Sequence, residues 1–177
     1  MNREKEKEVA ALLVLLHLKQ PQRFPLFTSH NRYLQNRCSQ SLYKPDFFYD
    51  LSSHFVLLEV DERQHKSENA EQEFLRMQSL TDYLRCSRAA ASVYWVRYNP
   101  DHFALAGTRE EVSHTERWLA LKQTLLELFG KSSPSTCYLE LYQLFYNHAT
   151  AQAHVQHAKY STKEAFLTVA AAARYMR

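Results

Sequence analysis

The feature that most constrains the fold of this chain is the run Phe55 to Val60 (FVLLEV), which has consecutive apolar residues. A strand with one solvated face would alternate polar and apolar residues, so this run predicts a strand covered on both faces. The β-rich run Asp46 to Leu51 precedes it, and Ser52-Ser53 separates the two, which predicts a hairpin. The strand itself is expected to span residues 54–61.

Helical and strand-like patterns alternate along the rest of the chain. Helices are predicted at residues 2–19, 67–85, 110–129 and 149–177, strands at 92–98 and 137–146, and irregular structure at 20–44. This order predicts an α/β sandwich in which helices flank a central mixed four-stranded sheet. Residues 1–146 would form one domain, and residues 147–177 an alanine-rich basic helix packed on it or extending from it.

Glycine is too scarce for most nucleotide-cofactor enzymes. The 177 residues include only Gly107 and Gly130, whereas phosphate-binding loops need several glycines. The net charge of +3 arises in residues 147–177, which carry four basic residues against Glu164 alone. A basic tail is compatible with a polyanionic partner, although a solvated helix face is the commoner explanation.

The cysteines and the N-terminal segment predict an intracellular protein, cytoplasmic or nuclear. Cys38, Cys86 and Cys137 are widely spaced and odd in number, which is typical of free, mostly buried thiols in a reducing compartment. The apolar run at residues 9–18 is too short to span a membrane, and no small-residue cleavage site follows it. It is predicted to be the first helix.

Three acids mark the hairpin as the place where chemistry is most expected. Asp46 opens its first strand and Glu59 lies near the end of its second, so the turn brings both to the same end. Two converging carboxylates suit a hard cation such as Mg²⁺. Asp61 would leave the same face as Glu59. Alternatively the strand ends at Val60 and Asp61 lies in a solvated turn.

Several motifs together carry a family resemblance. The stretches YKPDFFYD, LLEVDERQH and VYWVRYNPD, with an arginine-bearing helix before the last, resemble the PD-(D/E)XK nuclease superfamily. The match is to the branch with Pro-Asp followed by Glu-x-Asp-x-x-x-His, similar to very-short-patch repair endonucleases and related homing endonucleases. Domains of large DNA viruses, algae and other eukaryotes are similar through "RPDF", "EVDE-x-QH" and "IRFNPD". The resemblance covers residues 43–146 and implies a restriction-endonuclease-like fold.

The resemblance implies a catalytic set at the hairpin. Asp46 and Glu59 would bind the metal, and Asp61, at the position where many members have a lysine, would complete its shell. His65 would transfer a proton or position water. Gln64 would orient the water or a phosphate oxygen.

Nucleic-acid contacts are implied at Lys44, Lys66, Arg76, Arg97 and Asn99. Lys66 is also a candidate to replace the missing lysine. For Arg76 the alternative is a helical pair with Glu73, and Arg97 could equally anchor the strand end to an acid. The first helix of repair-type relatives contributes an acid, for which Glu8 is a candidate and Glu4 and Glu6 compete.

These features predict a Mg²⁺-dependent DNA endonuclease of a mobile element, virus or homing system. Mn²⁺ is expected to substitute for Mg²⁺, RNA is an alternative substrate, and a homodimer is left open. No membrane and no nucleotide cofactor are expected. One alternative is a nuclease fold that has lost catalysis and binds nucleic acid or scaffolds a complex. Another is a plain protein-interaction domain.

Overall fold

A computed structural model describes residues 4–35, 42–61, 70–101, 112–132, 136–145 and 155–166. This part of the chain contains three long helices and eight strands. They are α1 (Glu4–Lys19), β1 (Ser29–His30), β2 (Leu34–Gln35), β3 (Leu42–Tyr43), β4 (Phe47–Asp50), β5 (His54–Val60), α2 (Ala70–Ser87), β6 (Ser92–Tyr98), α3 (His114–Phe129), β7 (Leu139–Leu144) and β8 (Val155–Tyr160).

The main sheet has six strands rather than the four predicted, in the order β1-β4-β5-β6-β7-β8. Strands β5, β6 and β7 are parallel, and the outer pairs β1–β4, β4–β5 and β7–β8 are antiparallel. The predicted α/β class with a mixed sheet is therefore confirmed. The sheet is wider because β1 lies in a segment predicted irregular and β8 in one predicted helical. Strands β2 and β3 form a separate two-stranded sheet.

The hairpin and the central strand lie where the sequence predicts them. Strands β4 and β5 pair with Phe47 opposite Leu58, and all seven residues of β5 are buried. Helices cover both faces of β5, because its alternate residues belong to two different cores. Val56 and Leu58 pack on the side of α1 and α3, whereas Phe55 and Leu57 pack on the side of α2.

Helices α1, α2 and α3 correspond to the helices predicted at residues 2–19, 67–85 and 110–129, and α3 begins later than predicted. Helix α3 was expected to begin at residue 110, but Ser113 precedes its first turn as a cap. The Ser113 hydroxyl accepts from the Glu116 amide, and the Glu116 side chain accepts from the Ser113 amide, so the capping box sets the beginning at His114. Gly130 follows its last residue, as expected.

In the described part of the helix predicted for residues 149–177, the prediction is wrong at residues 155–160. Residues 155–160 form β8, and helix is found only at residues 163–166. Burial alternates along β8, with Tyr160 buried and Lys159 exposed. The strand also supplies His157, 2.9 Å from the carboxylate of Glu140, which is only 2% exposed on β7. Alanine's helix propensity is a weak local preference, and pairing with β7 overrides it.

The described cysteine thiols are more exposed than the sequence predicts. Cys86 is exposed and Cys137 is half-buried, so the expectation of mostly buried thiols is wrong for Cys86, and Cys38 lies outside the described residues. Within the described ranges, none of the helices combines the length and the apolar character needed to cross a membrane.

One buried hydrogen bond joins α2 to the centre of the sheet and gives a stability prediction. The Trp95 indole Nε1 donates to the Thr81 hydroxyl at 3.0 Å, and both side chains are buried. Thr81→Val keeps the shape but strands the indole N–H, so it should lower the free energy of unfolding by about 1–3 kcal/mol in urea titration. Thr115→Val, at an exposed α3 position, should change it by less than about 0.5 kcal/mol. Equal losses of stability in the two variants would contradict a buried hydrogen bond between Trp95 and Thr81.

Candidate active site

The acids of the hairpin gather where the parallel strands β5 and β6 end. The β4–β5 register, extended by one residue, sets Asp46 opposite Glu59. Asp46 Oδ2 accepts a hydrogen bond from the Val60 amide at 2.8 Å, which fixes the Asp46 carboxylate beside the strand end. Glu59 in turn pairs in register with Arg97 of β6. The predicted approach of Asp46 and Glu59 is thus present in the fold.

Glu59 is a buried carboxyl with a strongly shifted pKa. It is 5% exposed, and burial raises its pKa to about 8. The positive charge of Arg76 opposes that rise, while the negative charges of Asp46 and Asp61 add to it. Glu59 therefore keeps its proton to a higher pH than an exposed glutamate does.

Two arginines hold the acids of the site in a connected network. Arg76 Nη2 lies 3.2 Å from Glu59 Oε1 and 3.2 Å from Glu73 Oε2. Arg97 Nε lies 2.7 Å from Asp61 Oδ2, and its Nη2 lies 3.6 Å from Glu73 Oε2. Glu73 thus bridges the two guanidinium groups, and the chain of contacts runs from Glu59 on β5 to Asp61 just beyond it.

Asp61 lies inside the protein rather than in a solvated turn. It is 1% exposed, and its amide donates to the Tyr98 carbonyl at 2.8 Å, continuing the contact of β5 with β6. Its carboxylate binds Arg97. Strand β5 does end at Val60, as that alternative states, but the solvated turn is wrong for Asp61. Of the two alternatives for Arg97, an acid anchor is present. For Arg76 the helical pair with Glu73 is present, and the guanidinium also contacts Glu59.

Other residues predicted for the site lie apart from this network or outside the described ranges. Asn99 is fully buried: its Nδ2 donates to the Phe145 carbonyl at 2.8 Å and its Oδ1 accepts from the Asp101 amide at 3.0 Å. This geometry makes Asn99 a brace between the ends of β6 and β7. The Lys44 ammonium lies 5.7 Å from the centre of the Tyr33 ring. Gln64, His65 and Lys66 lie outside the described residues.

The acid of α1 that reaches this region is Glu6. Its Oε1 is 2.8 Å from His30 Nε2 and also accepts from Asn31 Nδ2, and the Asn31 amide donates to the Asp46 carbonyl at 3.0 Å. Glu8, by contrast, is well exposed and lies near Lys5 and His114. Glu6 therefore connects α1 to the Asp46 segment, and the first candidate, Glu8, does not.

Sequence reasoning missed two parts of this arrangement. The three-residue spacing indicates Glu73 as the helical partner of Arg76, but no local pattern indicates that it also reaches Arg97. His30 lies in a segment without periodicity, and nothing in its sequence neighbourhood indicated that its ring stacks on Phe47 at 4.6 Å and contacts Glu6.

The donors suit a hard divalent cation in part. Carboxylate oxygens such as those of Asp46 and Glu59 are the ligands that Mg²⁺ prefers. Asp61 fits less well because its Oδ2 contacts Arg97. Across the ranges that the structure describes, no group of three or more histidine, cysteine, aspartate or glutamate side chains has a metal-binding arrangement.

Comparison with known proteins gave no relative. No protein-family model matches the chain, and no curated protein or solved structure shows significant similarity to it.

The buried Glu59 carboxyl predicts a characteristic pH dependence of stability. Its pKa is raised from 4.5 to about 8, so the folded protein keeps a proton that the unfolded chain releases between those values. The stability that this group contributes is complete below about pH 4.5 and is lost as the pH rises to about 8. Glu59→Gln imitates the protonated form at every pH. The free energy of unfolding of this variant, relative to that of wild type, should therefore be higher at about pH 8 than at about pH 5.

Urea titrations at both pH values measure this difference. Glu127→Gln, which replaces an exposed acid of α3, is the matched control and should show no such change with pH. A Glu59→Gln effect that is the same at both values would contradict the raised pKa.

The contact between Asp61 and Arg97 predicts a large loss of stability on breaking it. Asp61→Asn leaves a buried guanidinium with less compensation, which should cost about 3–5 kcal/mol in urea titration. Asp50→Asn breaks the Asp50–Arg88 pair, which is more than a third exposed on each side, and should cost less than about 1 kcal/mol. Similar losses in the two variants would show that the Asp61 contact is not a buried ion pair.

Proposed function

We propose that this chain is a metal-dependent endonuclease that hydrolyses DNA phosphodiester bonds, with Mg²⁺ as its cofactor. The observation that carries the proposal is the opposition of Asp46 and Glu59 at the carboxyl ends of the central strands. Open α/β sheets bind their ligands at this end of the parallel strands. A buried acid with a shifted pKa beside two further carboxylates is also typical of functional sites.

Asp46 and Glu59 are the residues that would hold the cation. When bound, a divalent cation supplies Lewis-acid stabilisation of the phosphate and activation of the attacking water. Asp61 takes a different role in this proposal from the ligand role that the resemblance implies. Its carboxylate orients Arg97, and it thereby acts as a positioning residue.

The chain's own contribution to the reaction is electrostatic. Arg76 and Arg97 are oriented in advance by Glu73 and Asp61, so neither guanidinium has to reorganise when a phosphate arrives. Fixed cations next to developing negative charge stabilise a transition state more than mobile ones. The roles of His65 in proton transfer and of Gln64 in orienting water remain predictions from the sequence.

The same arrangement supports a finer assignment of the fold. We propose the restriction-endonuclease-like architecture and membership of the PD-(D/E)XK superfamily. In support, the Pro-Asp and Glu-x-Asp motifs lie at one end of the hairpin, where a shared metal site requires them.

A second candidate is a nuclease fold that binds nucleic acid without cutting it. The observation that favours it is the Arg76 contact, 3.2 Å from the Glu59 carboxylate. A guanidinium there competes with a cation for the same oxygens. The position of Asp61 where many superfamily members have a lysine favours it as well.

Cleavage of supercoiled plasmid separates the two candidates. Wild type with Mg²⁺ or Mn²⁺ should nick or linearise the plasmid, and Glu59→Ala should lose more than about 100-fold in rate, since even the outer partners of metal ligands are worth about 10- to 100-fold. Glu127→Ala, purified identically, controls for contaminating nuclease and should retain the wild-type rate.

Calorimetric titration with Mn²⁺ completes the test when the plasmid lacks a target sequence. Binding by wild type that Glu59→Ala abolishes would support a metal-competent enzyme. DNA binding without Mn²⁺ binding and without cleavage would favour the inactive module. Equal cleavage by wild type and Glu59→Ala would refute the proposed site.

A further inference from the structure

A line of polar residues that contains Glu59 continues across the sheet, beyond the contacts that Arg76 and Arg97 make with the acids. Arg97 pairs in register with Gln143 of β7, and Gln143 pairs with Gln156 of β8. Together with Asp46 and Glu59 these residues form one line across five neighbouring strands. We call it the polar row.

The neighbouring row on the same face has the opposite character. Two residues nearer the start of the parallel strands, the register aligns Leu57, Trp95, Leu141 and Ala158. All four belong to the core beneath α2 or pack against it. Side chains two residues apart on a strand share a face, so Gln143 and Gln156 leave the sheet on the α2 side, beside this core.

The two glutamines are not part of the apolar core beneath α2. Both are half-buried and lie beside its apolar row. Each side chain is therefore partly exposed at this edge, where its amide can contact a ligand.

We propose that Gln143 and Gln156 contact the DNA strand next to the phosphate that is cleaved, which extends the binding site along the polar row. This inference rests on the proposed function. Gln143 lies two strands from Glu59, about 10 Å at the usual strand spacing. At that separation the amides are placed to contact a nucleotide next to the cleaved phosphate.

The chemistry of the amide group fits this role. Each glutamine offers a donor and an acceptor, so it binds phosphate oxygens or base edges without adding charge. The charged part of the row, at Glu59 and Arg97, would face the reacting phosphate. The neutral part would guide the strand towards it.

The test measures binding of a fluorescein-labelled DNA duplex by anisotropy at about 50 mM salt, with Ca²⁺ replacing Mg²⁺. The double variant Gln143→Ala/Gln156→Ala should bind about 5- to 100-fold more weakly than wild type, as expected for two lost hydrogen bonds. The slope of affinity against salt should stay unchanged, because neutral contacts release no counterions. Gln123→Ala, on an exposed position of α3, should bind as wild type does.

Thermal unfolding of each variant distinguishes lost contact from lost structure. Where the alanine variants unfold early, Gln143→Met and Gln156→Met keep the side-chain volume and should show the same weakening. Wild-type affinity in folded variants would overturn the inference, and so would a changed salt slope.

Failure of the proposed function gives a different pattern. In one outcome, the glutamine variants bind DNA more weakly, but the wild type neither cleaves DNA nor binds Mn²⁺. That outcome would support DNA binding by the polar row and refute the proposed endonuclease activity. Cleavage that depends on Glu59, with unchanged glutamine variants, would refute only the present inference. The inference that Gln143 and Gln156 contact DNA would also be overturned if the wild type binds RNA but not the DNA duplex, or binds neither.

Discussion

Strand β5 has no exposed residue, and the rest of the structure is arranged around that fact. It pairs with β4 on one side and β6 on the other, and separate cores cover its two faces. Glu59 belongs to this strand, so its carboxyl loses hydration simply by being in register. The raised pKa of Glu59 is therefore a consequence of the fold's central element, and the neighbouring arginine reduces the cost without cancelling it.

Helix α2 determines how the site's charges are distributed. Because it packs over the apolar rows of β5, β6 and β7, the turn that carries Glu73 and Arg76 comes to lie above Glu59 and Arg97. Arginine is suited to this bridging position, since its planar fork can meet two carboxylates at once. The same contacts that attach α2 to the sheet thus orient the guanidinium groups of Arg76 and Arg97, which the proposed chemistry uses.

The sequence predicts the parts of this fold that depend on local pattern. Strands β4, β5 and β6 have apolar runs between clear turn residues, so their positions and the approach of Asp46 to Glu59 could be expected. Asp61 could not be placed in this way, because its partner Arg97 is 36 residues away and its burial depends on that contact. Periodicity alone likewise cannot decide which turn of α1 faces His30.

Strand β8 shows the same limit for secondary structure. Residues 155–160 carry no turn signal and lie in an alanine-rich region, so local propensity favours a helix. Their strand conformation depends on β7, where the buried Glu140 carboxylate meets His157 and Lys159 across the pair. Local sequence patterns therefore cannot predict the pairing of β7 with β8, because strand preference depends on the neighbouring strand.

Two buried glutamates of the described sheet, Glu140 and Glu59, have different charged neighbours, and this difference bears on which of them the proposed activity would use. Among the described residues, Glu140 has basic partners at Lys131, His157 and Lys159, as an acid that serves only stability requires. Glu59 has Arg76 beside it, but two carboxylates, Asp46 and Asp61, also lie near enough to raise its pKa further. Gathering like charges in a buried place lowers stability, and folds retain such an arrangement where a cation or a reaction offsets the cost. On this ground the carboxyl end of β5, rather than the Glu140 cluster, is the site at which to look for activity.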